Sequence, residues 1–261
     1  MAGSVRIERE GPLAWLVFDH AERRNAITTA MWQAIPGAVA ELDADPSVRV
    51  VVMRGAGDRA FVSGADNSEF ERARTGADSA SEYDRTTARA FEALAALGRP
   101  LLAMIHGFCI GGGMATALGA DLRYAADDAV FAIPAARRGL GYHMAGLDAL
   151  ARLVGPAAAK EILFTARRYD AASALRLGLV NQVFAKADLE REVRAIAATI
   201  ADNAPLTLKS AKLTLREIAR DPGERDGAAV RAGILACFES DDYREGVRAF
   251  LEKRAPRFTG R

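Results

Sequence analysis

Short, near-continuous apolar runs recur along this chain with helix-forming stretches between them, and this constrains the fold more than any other feature. Val48–Met53, Leu101–His106 and Leu122–Ala126 are such runs. A strand that is apolar on both faces suits a parallel sheet covered by helices, and strand–helix–strand spacing supplies the crossovers that parallel pairing needs. An α/β body is therefore expected.

The remaining elements fit around that body. Val5–Arg9 and Ala14–Asp19, separated by Gly11–Pro12, read as a starting hairpin. Thr28 or Thr29 caps a helix running to about Leu42, with Met31, Ile35, Val39 and Leu42 at helical spacing. Pro36 falls inside it and predicts a kink or a broken first turn. The stretches Ala145–Leu153, Ala157–Phe164 and Ala171–Leu177 read as successive helices, the last stopped by Gly178. Beyond them the character is all-helical, with one stripe on Leu189, Val193, Ile196 and Ile200 and another on Leu208, Ala211, Leu215 and Ile218. Residues 1–200 are thus expected to form the core and 201–261 a helical appendage. The small and polar residues from Ala73 to Ser81 read as a surface loop.

Composition narrows the function classes. With 35 basic and 34 acidic side chains, the chain carries no charge excess of the kind that nucleic acid or a membrane surface would select. No run approaches the roughly 18 apolar residues of a membrane span. The charged start, MAGSVRIERE, does not read as a signal peptide. Cys109 and Cys237 form no CxxC pair, which fits free thiols in a reducing cytoplasm. His20, His106 and His143 lack ligand spacing, so no metal is expected.

Three glycine-bearing motifs bear on chemistry. Gly55-Ala56-Gly57-Asp58-Arg59-Ala60 matches the dinucleotide fingerprint, but the chain continues as Phe61-Val62-Ser63 rather than opening a helix, so a turn after a strand is the better reading. Gly111-Gly112-Gly113 lacks the lysine of a P-loop. It does follow a strand and open a helix, where unpaired N–H groups and missing β-carbons suit a negative oxygen. Phe61-Val62-Ser63-Gly64-Ala65-Asp66 is a second strand-to-turn segment, with Asp66 an expected N-cap. Taken together, the last two loops could each offer one N–H to the same oxygen, which is the architecture of an oxyanion hole.

Read in order, Arg24-Asn25-Ala26, Ala60–Asp66, His106–Gly113, Asp121–Ala125, Gly178-Leu179-Val180 and Asp241–Gly246 resemble the landmarks of the crotonase (enoyl-CoA hydratase/isomerase) superfamily. The resemblance implies a ββα spiral core, a C-terminal trimerisation layer giving a homotrimer or a dimer of trimers, and an acyl-CoA thioester substrate with no further cofactor. It implies that the N–H groups of Val62 and Gly112 hold the thioester oxygen. It also implies that Arg23, Arg24, Ala26, Val62, Gly64, Ala65, Asp66 and Gly111 line the coenzyme A.

The resemblance also exposes a departure. The two hydratase carboxylates would fall at Ala115 and Ala135, and from Gly98 to Leu147 there is no glutamate. Loss of one positioned acid–base group costs roughly 10²–10⁴ in rate, so ordinary hydration should be weak. Tyr142 and His143, on a glycine-flanked loop, are the remaining polar candidates for catalysis. Their loop, Tyr142-His143-Met144-Ala145-Gly146, resembles that of methylmalonyl-CoA decarboxylase, although that branch has a histidine where Ala65 stands. Decarboxylation is therefore the leading expectation. A hydratase or isomerase with unusual acid–base groups and a non-catalytic acyl-CoA-binding protein are the rivals.

Overall fold

The computed structural model describes residues 2–69, 77–142 and 144–261. The chain opens with β1 (Ser4–Glu10) and β2 (Leu13–Asp19), an antiparallel hairpin pairing Ser4 with Asp19 and Glu10 with Leu13. The first long helix, α1 (Thr29–Ala44), begins where the Thr28 hydroxyl accepts the Met31 N–H at 3.2 Å. Its buried face is Met31, Trp32, Ile35, Val39 and Leu42, the expected stripe with Trp32 added. The helix runs through Pro36 to Ala44 without the break the sequence suggested. Packing of that stripe against the sheet outweighs the one backbone hydrogen bond proline removes.

The chain then winds as a spiral. A long strand joins one sheet, a short strand joins a second, and a helix or loop leads into the next turn. The windings are β3 (Val50–Gly55) with β4 (Ala60–Val62) and α2 (Ala77–Ala96); β5 (Leu101–Ile105) with β6 (Phe108–Ile110) and α3 (Gly112–Leu118); and β7 (Leu122–Ala126) with β8 (Val130–Ala132). After β8 come α4 (Met144–Val154), α5 (Pro156–Thr165), β9 (Tyr169–Asp170), α6 (Ala171–Arg176), β10 (Gln182–Phe184) and α7 (Leu189–Ala201). The larger sheet has the order β1-β2-β3-β5-β7-β10 and is parallel apart from its edge hairpin; the smaller is β4-β6-β8-β9. Ala77–Ser81, expected as loop, instead open α2, while residues 73–76 lie outside the described residues.

Both faces of the larger sheet are buried, as its two-sided apolar strands require. Leu16, Phe18, Val51 and Met53 pack toward α1 and α2, while Trp15, Val50, Val52 and Leu102 pack against Leu189, Val193 and Ala197 of α7. The chain ends in α8 (Pro205–Ile218), α9 (Gly227–Glu239) and α10 (Asp241–Glu252). The expected stripe on α8 does not turn inward: Leu215 and Ile218 are 67% and 58% exposed. Among the described residues no helix is long and apolar enough to cross a membrane.

Candidate active site

The spiral brings two loops into backbone contact. The chain leaving β4 as Ser63-Gly64-Ala65-Asp66 lies against the chain leaving β6 as Gly111-Gly112-Gly113. A β-carbon on Gly113 would sit 2.1 Å from the Val62 carbonyl oxygen, so only glycine permits the approach. A β-carbon on Gly112 would lie 3.4 Å from the Ala65 nitrogen and 3.7 Å from the Gly64 carbonyl carbon. Gly64 itself has φ +121, a backbone conformation reserved for glycine.

Hydrogen bonding decides which way these peptides point. The Ile27 N–H donates to the Gly64 carbonyl at 2.8 Å, and the Asp66 N–H donates to the Ile27 carbonyl at 2.9 Å. In that parallel bridge between Ile27 and Ala65, the Ala65 N–H faces the opposite edge, toward Gly112. Gly112 is the first residue of α3, whose N–H groups have no intrahelical acceptor. Among the described residues neither N–H finds an acceptor. Val62, the sequence-based choice of donor, lies in β4 opposite Cys109, is fully buried, and turns its carbonyl onto Gly113.

The loop after β2 runs beside this pair. Arg23 closes a short 3-10 turn, and Arg24 and Asn25 adopt left-handed conformations. The Asn25 side chain fixes them: its amide donates to the Ala56 and Ala60 carbonyls at 2.9 and 2.8 Å, and its oxygen accepts the His20 N–H at 3.0 Å. The Ser63 N–H donates to the Arg24 carbonyl at 3.1 Å, tying this loop to the one that bears Ala65. The Arg24 guanidinium lies 5.1 Å from the Phe108 ring centre, and Ala26 is buried with its carbonyl 2.9 Å from His20 Nδ1. Arg23, Arg24, Ala26, Gly64, Ala65, Asp66 and Gly111 therefore border one region.

Carboxylates near the donors are already occupied. Burial of Asp66 opposes its ionisation, but bonds from the Ser68 N–H (2.9 Å) and hydroxyl (2.8 Å) prevail and hold it below the ordinary carboxylate range. Glu69 accepts the Thr29 N–H at 2.7 Å and the Thr29 hydroxyl at 2.8 Å. Ala115 follows Gly112 within α3, and Ala135 is buried at the 3-10 turn Pro134–Arg138. Tyr142 is half-buried against the core, its ring 3.9 Å from the β-carbon position of Gly146. His143 lies outside the described residues.

Burial, and then nearby Lys186, push His106 below the usual imidazole value, and its Nε2 has no partner among the described residues. No group of three or more His, Cys, Asp or Glu that could hold a metal is found among them. Asn25 and the buried Trp32, neither singled out as a site residue from sequence, prove to flank the two loops. The left-handed Arg24-Asn25 pair was detectable in principle as an asparagine in a turn; Trp32 carried no local signal beyond the helical stripe.

A family model described as enoyl-CoA hydratase/isomerase matches residues 8–261. The crotonyl-CoA hydratase of Syntrophomonas wolfei subsp. wolfei is 33% identical over 255 residues, covering 98% of this chain and 97% of that one. The carnitinyl-CoA dehydratase of Salmonella typhi is 31% identical over 265 residues, with 100% of both chains covered. A solved structure described as an enoyl-CoA hydratase/carnithine racemase from Magnetospirillum magneticum has a TM-score of 0.95 at 34% identity, covering 100% of this chain and 97% of that one.

Proposed function

Because the chain belongs to the enoyl-CoA hydratase/isomerase family and shares the crotonase fold, we propose that it turns over an acyl-CoA thioester through an enolate held by the Ala65 and Gly112 N–H groups. Charge that develops on a thioester oxygen is stabilised by preorganised donors, by roughly 3–4 kcal/mol each in other oxyanion holes. We assign this role to Ala65 in place of Val62 because the Ala65 N–H has no acceptor among the described residues and faces Gly112. The Arg23–Ala26 loop and the Gly64–Asp66 segment would border the coenzyme A.

The leading reading of the reaction is decarboxylation of a carboxyacyl-CoA, and the observation that carries it is the pair Ala115 and Ala135. With alanine at both positions, the glutamates that would activate water in a hydratase are missing there. Loss of CO₂ itself leaves the electron pair that forms the enolate, so no strong base is needed. Tyr142 and His143 remain the candidates to protonate the enolate carbon.

A second reading, hydration or dehydration, is favoured by the names of the relatives. Incubation with methylmalonyl-CoA and with crotonyl-CoA, following CO₂ release and loss of enoyl absorbance, separates the two. Release of CO₂ without rapid hydration is expected. Robust hydration of crotonyl-CoA overturns the decarboxylase reading, and turnover of neither substrate with CoA esters still bound indicates a non-catalytic binder.

The C-terminal helices support a further part of this reading. They leave Leu215, Ile234, Phe238, Val247, Phe250 and Leu251 exposed around an apolar groove of about 900 Å³. Contiguous apolar surface of that kind is covered in a stable assembly, and its proposed cover is other copies of this chain, as a trimer or a dimer of trimers.

A further inference from the structure

A triple glycine is a poor mount for a catalytic donor. Without β-carbons, Gly111-Gly112-Gly113 has more backbone freedom than any other tripeptide, yet an oxyanion donor must hold its place to within about 0.5 Å. The space that a β-carbon on Gly112 would take is bordered by the Gly64–Ala65 peptide and by Trp32 of α1, whose Cζ2 lies 3.3 Å from that position. The loop and the indole edge together close that side of Gly112.

The indole is itself fixed. Trp32 is 1% exposed, and a buried indole N–H needs an acceptor. It donates to the Tyr83 hydroxyl of α2 at 3.0 Å. The Phe91 ring, from the same helix, meets Trp32 edge to face at 5.2 Å and 72°. Tyr83 is 6% exposed, so both halves of this hydrogen bond lie inside the core. An apolar residue at either position would have filled the space. A polar pair fixes the ring's rotation as well as its volume, which packing alone would leave to several orientations.

We propose that Trp32 and Tyr83 are positioning residues for the oxyanion hole: the Trp32–Tyr83 hydrogen bond locks the indole edge against Gly112 and holds that N–H at the thioester oxygen. This rests on the reading of Ala65 and Gly112 as the oxyanion donors. The substrate class it serves is any acyl-CoA whose carbonyl must be polarised, whatever bond then breaks.

The test uses the full-length protein and cinnamoyl-CoA, a thioester whose absorption moves to longer wavelength as its carbonyl is polarised. The wild type is expected to bind it with a red shift. Tyr83→Phe, which removes one oxygen, should keep Kd within about 2-fold while losing most of the shift. On whichever CoA ester is turned over, kcat should fall at least 10-fold with KM changed less than 2-fold. Trp32→Phe should give the same pattern, and the double variant should lose no more than either single one, because all three break one hydrogen bond. Melting temperature is followed alongside, so that a folding defect in Trp32→Phe leaves Tyr83→Phe to decide. A full red shift and undiminished kcat in Tyr83→Phe overturn the proposal. A wild type that binds the probe without any shift instead overturns the oxyanion reading beneath it.

Discussion

The carbonyl oxygen of Val62 occupies the space, 2.1 Å away, where a β-carbon on Gly113 would stand. The two site loops thus touch main chain to main chain. Gly113→Ala is expected to push them apart, lowering the melting temperature and abolishing red-shifted binding of a chromophoric thioester; a variant with wild-type melting and binding would show that the contact is not needed.

Gly112→Ala tests the donor more gently. Its β-carbon would meet Trp32 at 3.3 Å and the Ala65 nitrogen at 3.4 Å, close but not overlapping. The protein should fold, and kcat should fall by about 10²–10³ as one donor is displaced. Steady-state kinetics beside a thermal melt checks both halves of that statement.

Ala115 and Ala135 invite the reverse experiment. Placing glutamates at both positions, by Ala115→Glu with Ala135→Glu, should raise crotonyl-CoA hydration by about 10² or more over the wild type if the missing carboxylates are what limits it. Ala135 is buried, so the single Ala115→Glu variant is the control for folding. Unchanged hydration in a folded double variant would mean that another feature sets the reaction.

His106 gives a pH dependence. Burial lowers its folded-state value below the 6.5 of a free imidazole, so between those two values the unfolded chain binds a proton that the folded chain refuses. Stability should be insensitive to this group above about pH 6.5 and should decline as the pH drops from there toward the folded value. His106→Gln should flatten that part of the curve in denaturant titrations at a series of pH values, and an unaltered slope would assign the acid sensitivity elsewhere.

The exposed apolar face of α8–α10 predicts assembly. Phe250, 83% exposed, and Leu251, 74% exposed, should be covered by neighbouring copies. Phe250→Glu with Leu251→Glu is expected to convert an oligomer to monomer in sedimentation or light-scattering measurements. A wild type that is already monomeric at micromolar concentration would refute the assembly.

Much of this architecture is legible in the chain, for identifiable reasons. The strands β5 and β7 and the helix that ends before Gly178 announce themselves because burial on both faces, or a glycine stop, is a local property. The sequence does not show that the helix continues through Pro36 without a break, because tertiary packing of Met31, Ile35 and Leu42 decides it. The α8 stripe marks a helix outside the α/β body, and Leu215 and Ile218 point outward, since a helical stripe records that a face is to be covered and not by what. Within the site, the two loops could be paired from sequence. The proposal of Ala65 in place of Val62 could not be reached that way, because it rests on the Ile27 bridge, which sets the direction of each peptide. Trp32 and Tyr83 are separated by a whole winding, and no pattern in either segment foretells that they share a hydrogen bond.

The spiral course of the chain has a consequence for how such a site can vary. Ala65 and Gly112 leave the second sheet on successive windings, β4 and β6, so the distance between these two proposed donors is set by the pitch of the coil. Side chains that meet a substrate project from loops and can be exchanged one at a time. The gap between the two proposed donors belongs to the whole winding, so exchanging an acid or base on a loop leaves that spacing where the coil has set it.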